Sequence, residues 1–354
     1  MNKNNLILTS TSGMSREEWL EFRKPMNHVR KKIVEWLHKR LGLDDEIQAE
    51  DFFRSGKECF PLLKEFFASD EWKEFLFPCV GGSDLSTVMG LNPYKSIIEL
   101  YFEKTGMKEV FDQDNAAMFW GRELEEQVCE KWQYWDGNVE GMIANFTAGN
   151  IIRRCRRLNA YVQNKNFPWL YVSLDRVINK TKDAKETITG EGSLEGKTIS
   201  GYAADMWESG IPPMYVVQLQ GQITVCEFSY GEMAILKDGR HYDVIPFDLH
   251  PGISEGVVRH SENFFKMVKA GIEQYILHLY CSDEEQKAVY YSEAERLAPE
   301  PDGSVAYENY LSQRYKDKDL GGITGNVIQL ELARQYVYVN GRMKLLDEIK
   351  REAS

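Results

Sequence analysis

The amino-acid sequence predicts a mixed α/β domain in which helices flank one central mixed sheet. Three features of the chain indicate this class. A helical region comes first, short apolar runs typical of strands follow between residues 150 and 199, and two later helical segments enclose a hairpin pattern at 231–248. Helices and strands in such an order generally pack as layers around a sheet. The chain has 354 residues, of which 43% are hydrophobic, enough for a sizeable core.

The N-terminal part of the chain is predicted to be helical. Residues 1–24 should contain a loose leader and the first helix, which begins after Ser15 because Ser15 and Glu18 have the spacing of a capping box. Residues 25–79 show few strand signals and are interpreted as a helical insertion. Residues 80–106 then read as turn, short helix, turn and helix.

The strands and the last helices follow in the middle of the chain. A helix is expected over 116–135, strands over 150–180 and near 190–199, and another helix after Pro212-Pro213. An Asp-Gly turn joins the two strands of the hairpin, and residues 252–280 are predicted to be helical. The predicted boundaries are a core at 80–280, an acidic linker at 281–304 and a helical C-terminal appendage at 305–354.

Charge and cysteine content argue against several classes of protein. A formal net charge of −12 speaks against a generally basic nucleic-acid coat, but residues 23–40 hold seven Lys or Arg and one Glu, which leaves a local basic surface open. The six cysteines form no CxxC pair, which predicts reduced thiols and argues against a zinc or iron–sulphur site. The chain has no signal-peptide pattern and no apolar run of membrane-spanning length, so a soluble, cytoplasmic protein without a membrane partner is expected.

One glutamate of the predicted helix at 116–135 points inward. At about 100° per residue, Leu124, Val128 and Trp132 share a buried face, and Glu125 lies at the edge of that face. The other glutamates of this helix point away from it: Glu123, Glu126 and Glu130. An internal ion pair would also account for an inward carboxylate, so the helix by itself leaves both interpretations open.

Acidic and basic groups recur on the strands that follow. Asp175 interrupts an apolar pattern, and a buried carboxylate requires a cation, hydrogen-bond donors or a metal ion. Glu195 and Lys197 lie two residues apart, so their side chains share one face of a strand. Considered separately, Asp175 would be an ordinary acid with a partner, and Glu195 and Lys197 would be an exposed ion pair. Taken together, they suit Mg²⁺ held by Asp175, Glu195 and the Gly196 carbonyl, with Lys197 orienting or deprotonating the attacking water.

Five motifs in a fixed order carry a family resemblance. They are GGSDLSTVMGLNPYKSIIELYFEKTG (81–106), FWGRELEEQV (119–128), SLDRVI (173–178), LEGKT (194–198) and IPPMYVVQLQGQITV (211–225). Together they resemble the lambda-exonuclease or YqaJ-type viral recombinase family of the PD-(D/E)XK nuclease superfamily, over about residues 15–24 and 80–270. The resemblance implies a restriction-endonuclease-like core and metal-dependent 5′-to-3′ digestion of duplex DNA ends in phage-type recombination.

The resemblance also implies roles for residues at matching positions. Lys197, Glu125 and Gln218 would be catalytic or line the site, and Asp175, Glu195 and Gly196 would hold Mg²⁺, for which Mn²⁺ should substitute. Arg23, at the end of W-x-x-x-R, and Ser83 would lie close together and grip the terminal 5′ phosphate, because the resemblance implies that 25–79 is an insertion between them. Arg154, Arg156 and Arg176 are candidate contacts to the DNA backbone. The implied partners are DNA ends, a single-strand annealing protein and further copies in a ring-shaped homotrimer, inside a bacterial host cell with a phage or prophage.

The chain departs from the family pattern at two positions. Gly196 stands where an apolar residue is usual, and Arg176 follows the aspartate where Gly is common. Two other functions remain open, a structure-specific DNA endonuclease and a non-catalytic DNA-end-binding recombination protein. The complete set of acids together with Lys197 argues against the second.

Overall fold

The computed structural model describes residues 4–43, 45–54, 58–108, 116–179, 191–199, 206–207, 210–300 and 304–315. In these residues two mixed β-sheets are flanked by helices, which confirms the predicted α/β class. The chain divides into a compact unit of residues 1–308 and a second unit of residues 309–354. In the second unit residues 309–315 are described and are helical, so most of the predicted appendage lies outside the described residues.

The strands form two sheets rather than the single one expected. They are β1 (Leu6–Ser10), β2 (Val80–Gly81), β3 (Cys155–Arg156), β4 (Ala160–Asn164), β5 (Leu170–Ser173), β6 (Arg176–Ile178), β7 (Gly192–Ile199), β8 (Tyr230–Lys237) and β9 (His241–Asp248). The first sheet has the order β1-β4-β5-β2, with β2 parallel to β5 and the other neighbours antiparallel. The second has the order β3-β6-β7-β8-β9, with β7 parallel to β8 and the other neighbours antiparallel.

Helices surround both sheets. They are α1 (Arg16–Phe22), α2 (Pro25–Leu41), α3 (Glu46–Arg54), α4 (Phe60–Ala68), α5 (Asp70–Glu74), α6 (Leu85–Val88), α7 (Ile97–Thr105), α8 (Ala116–Trp132), α9 (Val139–Ala148), α10 (Pro213–Val225), α11 (Pro251–Tyr280), α12 (Glu284–Arg296) and α13 (Val305–Tyr315), with a 3₁₀ turn at Gly82–Asp84. The helices predicted after Ser15, over 116–135, after Pro212-Pro213 and over 252–280 are confirmed as α1, α8, α10 and α11. None of the helices in the described part of the chain is long and apolar enough to cross a membrane.

Three segments differ from the sequence-based prediction. Residues 6–10 of the expected loose leader form β1, because their backbone pairs with β4 along its whole length. The expected strand through the arginines at 153–157 is limited to Cys155 and Arg156. The expected acidic linker contains α12, whose N-cap Asp283 accepts the backbone N–H of Gln286 and which packs against α11. Capping and packing therefore outweigh the acidic composition of this segment.

The segment predicted as a helical insertion, 25–79, contains α2 to α5 and is helical as expected. It contributes buried apolar side chains to the core, and Val29, Ile33 and Leu37 of α2 are fully enclosed. The indole N–H of Trp72 donates to Glu273 of α11 at 2.8 Å. These contacts join the segment to the long helix behind the first sheet.

The two sheets meet at residues 174–175, where the chain leaves β5 of the first sheet and enters β6 of the second. Helix α10 packs on both β5 and β7, and α8 packs on β7. Gly196 allows α8 to come this close, since a Cβ at Gly196 would lie 2.9 Å from Sγ of Cys129. The packing brings the 174–175 step, the centre of β7 and one face each of α8 and α10 to the same place.

Candidate active site

Asp175 is a partly buried carboxylate at the step between the sheets. Its Oδ2 accepts the backbone N–H of Gly196 at 2.9 Å, which ties it to β7 beside Glu195. Burial raises the pKa of Asp175 well above its ordinary value of 3.8, and the carboxylates of Glu195 and Glu125 raise it further. The carboxylates of Asp175, Glu195 and Glu125 therefore lie close enough to repel one another.

Glu195 is enclosed in the centre of β7, with 2% of its surface exposed. Its Oε1 lies 2.6 Å from Nζ of Lys197 and accepts Nε2–H of Gln218 at 2.6 Å. Its Oε2 accepts Nε2–H of Gln222 at 2.6 Å. The prediction that Glu195 and Lys197 share one strand face is confirmed, and both carboxylate oxygens are held by donors.

Lys197 lies close to two acidic side chains of the site. Burial alone would lower its pKa, but Glu195 and Asp175 hold the pKa of Lys197 above its ordinary value of 10.5. Its Nζ also lies 5.2 Å from the ring centre of Tyr215, where the aromatic face favours a cation. The Nζ of Lys197 therefore lies against the Glu195 carboxylate, and both roles expected for it, orienting or deprotonating the water, stay predictions.

Glu125 is the inward glutamate of α8, as the helical phase predicts. Its side chain is 27% exposed, whereas that of Glu126 is 59% exposed. Burial raises the pKa of Glu125 and the charge of Glu195 adds to this, while Arg176, 3.8 Å away, opposes it. Glu125 thus faces the carboxylates of Asp175 and Glu195 across the contact between α8 and β7.

The three arginines predicted to contact the DNA backbone differ in position. Arg176 is buried, its Nη2 lies 2.6 Å from Oε2 of Glu126, and its Nη1 donates to the carbonyl oxygen of Asp175 at 2.6 Å. It links α8 to the 174–175 step, and its contact to the DNA backbone stays a prediction. Arg154 and Arg156 are exposed, and Arg156 pairs with Glu191 at 3.1 Å; their DNA contacts stay a prediction.

Helix α10 supplies two glutamines to the site. Gln218 lies there as predicted, and its Oε1 is 3.5 Å from Nζ of Lys197. Gln220, the second glutamine of Q-x-Q, turns away and bonds the backbone of Asp248 and His250. Sequence reasoning missed Gln222, although its i,i+4 spacing from Gln218 places both on one helix face.

A cavity of about 180 Å³ opens beside these groups. Its lining includes Asp175 and Gln218 together with Arg23 and Ser83. The sequence prediction that Arg23 and Ser83 lie close together is confirmed, although the whole of 25–79 separates them along the chain. The structure thus joins the acidic centre to a surface that contains a guanidinium and a hydroxyl.

A buried ion pair supports this cavity. Nζ of Lys104 lies 2.6 Å from Oδ2 of Asp84, which also accepts the backbone N–H of Gly81 at 2.8 Å. Burial opposes charge on Asp84, but Lys104 and Arg23 hold its pKa below the ordinary value of 3.8. Sequence reasoning missed this pair, although Lys104 lies on the buried face of α7 with Tyr101 and a lysine there requires an acidic partner.

The donor set fits a hard divalent cation. Across the described ranges, no three His, Cys, Asp or Glu side chains converge closely enough to hold a metal ion by themselves. Mg²⁺ does not require three, because proteins bind it through one or two carboxylates while water and substrate phosphate complete the shell. Asp175 and Glu195 supply two, and a bound cation would offset the repulsion between these carboxylates.

The comparisons with known proteins agree with the motifs. The family model of the YqaJ-like viral recombinase domain matches residues 71–229. YqaJ of Bacillus subtilis (strain 168) is 25% identical over 287 residues, which cover 80% of this chain and 75% of YqaJ. The predicted resemblance to the YqaJ-type family is confirmed.

Solved structures of an alkaline exonuclease, LHK-Exo from Laribacter hongkongensis, are also similar. One covers 58% of this chain and 95% of its own, with 17% identity and a TM-score of 0.41. The other, LHK-Exo in complex with dAMP, covers 55% and 89%, with 18% identity and a TM-score of 0.40.

Proposed function

We propose that this chain, whose residues 71–229 match the family model of the YqaJ-like viral recombinase domain, is a Mg²⁺-dependent exonuclease that digests duplex DNA from its 5′ ends. One feature supports the proposal above the others. The cavity lined by Asp175 and Gln218 is also lined by Arg23 and Ser83, so phosphate-binding groups lie beside the acidic centre. An enzyme that starts at a DNA end needs this combination of end recognition and hydrolysis.

Asp175 and Glu195, with the main-chain carbonyl of Gly196, would hold the metal ion. When bound, Mg²⁺ would lower the pKa of a coordinated water and polarise the scissile phosphate. Gln218 and Lys197 keep the Glu195 carboxylate in place, since both lie 2.6 Å from its Oε1. The metal-binding groups are therefore positioned before the substrate arrives.

Lys197 serves as an orienting cation. Its charge is held by Glu195 and Asp175, so its N–H groups donate to the attacking water and to a phosphate oxygen. Negative charge that develops on the phosphate in the transition state lies beside this ammonium and is stabilised by it. Replacing Lys197 removes this interaction without removing the surfaces that bind the rest of the DNA.

Arg23 and Ser83 would bind the terminal 5′ phosphate. A guanidinium bonds two phosphate oxygens at once, and the Ser83 hydroxyl adds a further donor. Asp84 and Lys104 hold the turn that carries Ser83. A 5′ phosphate at this position would set the next phosphodiester towards the acidic centre, which accounts for a 5′-to-3′ direction.

The test compares linear 5′-phosphorylated duplex with closed circular duplex. With Mg²⁺ we expect nucleotides to be released from the linear DNA, the circle to stay intact and EDTA to stop the reaction. Asp175→Asn and Lys197→Met should abolish digestion but retain end binding in a gel-shift assay, because most affinity comes from phosphate contacts. Cleavage of the circle would support an endonuclease instead, and binding without digestion by the wild type would support a non-catalytic end-binding protein.

A further inference from the structure

Gln222 lies behind Glu195 with all of its polar groups in use. It is 1% exposed, and its Nε2 donates to Oε2 of Glu195 at 2.6 Å and to the carbonyl oxygen of Ser173 at 3.3 Å. Its Oε1 lies 2.5 Å from Oγ of Ser193. A carboxylate and a carbonyl only accept hydrogen bonds, so the NH₂ group must face them and the Ser193 hydroxyl must donate to Oε1. The orientation of the amide is therefore determined by its neighbours.

The two glutamines that donate hydrogen bonds to Glu195 differ in the polar groups that remain available to a substrate. Gln218 is only partly buried, gives one N–H to Oε1 of Glu195 and has a long 3.5 Å contact to Lys197. Its second N–H is available to a ligand in the cavity. Gln222 also borders the cavity, but it uses both N–H groups and its carbonyl oxygen for hydrogen bonds within the protein, which makes it a support for Glu195.

We propose that Gln222, oriented by Ser193, is a positioning residue that fixes the rotation of the Glu195 carboxylate and so sets its affinity for the metal ion. The proposal rests on the metal-dependent function above. The terminal torsion of a glutamate is intrinsically broad. Donors at Oε1 alone, from Lys197 and Gln218, would let Oε2 swing, whereas the Gln222 bond holds Oε2 as well. Loss of a partner that holds a metal-binding carboxylate typically weakens metal binding about 10–100-fold.

The chain offers a closely matched control for this role. Gln220 lies on the same helix and is 2% exposed. It also makes two hydrogen bonds, donating to the carbonyl oxygen of Asp248 at 2.8 Å and accepting the backbone N–H of His250 at 2.9 Å. Gln222→Met and Gln220→Met remove the same amide from equally buried positions and leave side chains of similar volume. If metal binding fell only because the fold was less stable, both variants should lose it to the same extent. Only Gln222→Met removes a contact to Glu195.

The experiment is calorimetric titration of the full chain with Mn²⁺ or Mg²⁺ alone, without DNA. We expect Gln222→Met to weaken metal binding about 10–100-fold and Gln220→Met to leave it within about twofold. Ser193→Ala, which removes only the hydroxyl that orients the amide, should weaken it in the same direction by less. In nuclease assays at saturating metal, Gln222→Met should lower kcat and leave KM for DNA unchanged.

Two results would overturn the positioning role. One is unchanged metal affinity in Gln222→Met, and the other is an equal loss in Gln222→Met and Gln220→Met. If Gln222→Met does not fold, Ser193→Ala decides, and wild-type affinity in that variant counts against the proposal. Failure of the proposed function itself looks different, because the wild-type chain would then show no metal binding at all.

Discussion

One added methyl group at Gly196 should separate α8 from β7. A Cβ there would lie 2.9 Å from Sγ of Cys129, roughly 0.6–1.1 Å inside the usual contact distance of about 3.5–4.0 Å. Cys129 is fully buried, and Val128 and Trp132 enclose it, so the sulfur has no free space to move into. Overpacking of this kind costs about 1–3 kcal/mol, and removing a strand glycine returns roughly 0.5–1 kcal/mol.

We therefore expect Gly196→Ala to lower the free energy of unfolding by about 1–2 kcal/mol. The melting temperature should fall by roughly 2–4 °C per kcal/mol. Because the new methyl would also lie 3.6 Å from Cγ of Glu125, a shift of α8 displaces Glu125 from the acids of β7. A displacement of about 1 Å can cost on the order of 100-fold in rate, so nuclease activity should fall more than stability does.

A double-mutant cycle with Cys129→Ala tests the cause. Removing Sγ leaves the Gly196→Ala methyl with ordinary contacts of 3.6 Å to Glu125 and Val128. Most of the destabilisation should then disappear in the Cys129→Ala background, measured by chemical unfolding of all four proteins. Wild-type stability of the single Gly196→Ala variant, or an equal loss in both backgrounds, would refute the close approach of α8 and β7.

Three further predictions concern the charged groups. Without metal, Asp175→Asn should raise the melting temperature at neutral pH. Because the pKa of Asp175 is raised in the folded state, the wild type loses stability as the pH rises from 3.8 through that pKa. In melts taken at decreasing pH, the difference in melting temperature between the two proteins should therefore become smaller towards pH 3.8. Arg23→Ala should slow digestion of 5′-phosphorylated duplex about tenfold or more, which is the loss expected for one charged hydrogen bond. Digestion of 5′-hydroxyl duplex should slow much less. Equal slowing of both substrates would indicate a general basic residue. Glu125→Ala should reduce cleavage at least tenfold, whereas Glu123→Ala and Glu130→Ala should stay near wild type in the same assay.

The features that the sequence predicted correctly depend on spacing within one element. Glu125 turns inward because residues of a helix repeat at about 100°, and Glu195 and Lys197 share a face because strand side chains alternate. Capping placed the start of α1 at Ser15 for the same reason, since Ser15 and Glu18 are three residues apart on one turn. Each of these statements requires only local backbone geometry.

The errors and omissions all involve contacts between distant segments. The pairing of Arg176 with Glu126 of α8, 2.6 Å apart, was not predicted from the sequence. Residues 6–10 were predicted to be part of a loose leader, but in the structure they form a strand because β4 provides their hydrogen-bond partners. Gln222 shows helical spacing, but its role appears only when β7 brings Glu195 and Ser193 against α10.

Periodicity and side-chain chemistry predicted the α/β class and most of the helices and strands, but not β1, α12 or the division into two sheets. They also identified the acids and the lysine as candidates. Tertiary structure alone decided which groups meet: Arg23 with Ser83 at one cavity, and Lys104 with Asp84 behind it. Local backbone geometry decides which side chains share a face of one helix or strand. The contacts between remote elements depend instead on how their faces pack and on how buried charges are paired. Gly196 is an example of such pairing. Glycine is required there because Cys129 on the neighbouring helix leaves no space for a Cβ.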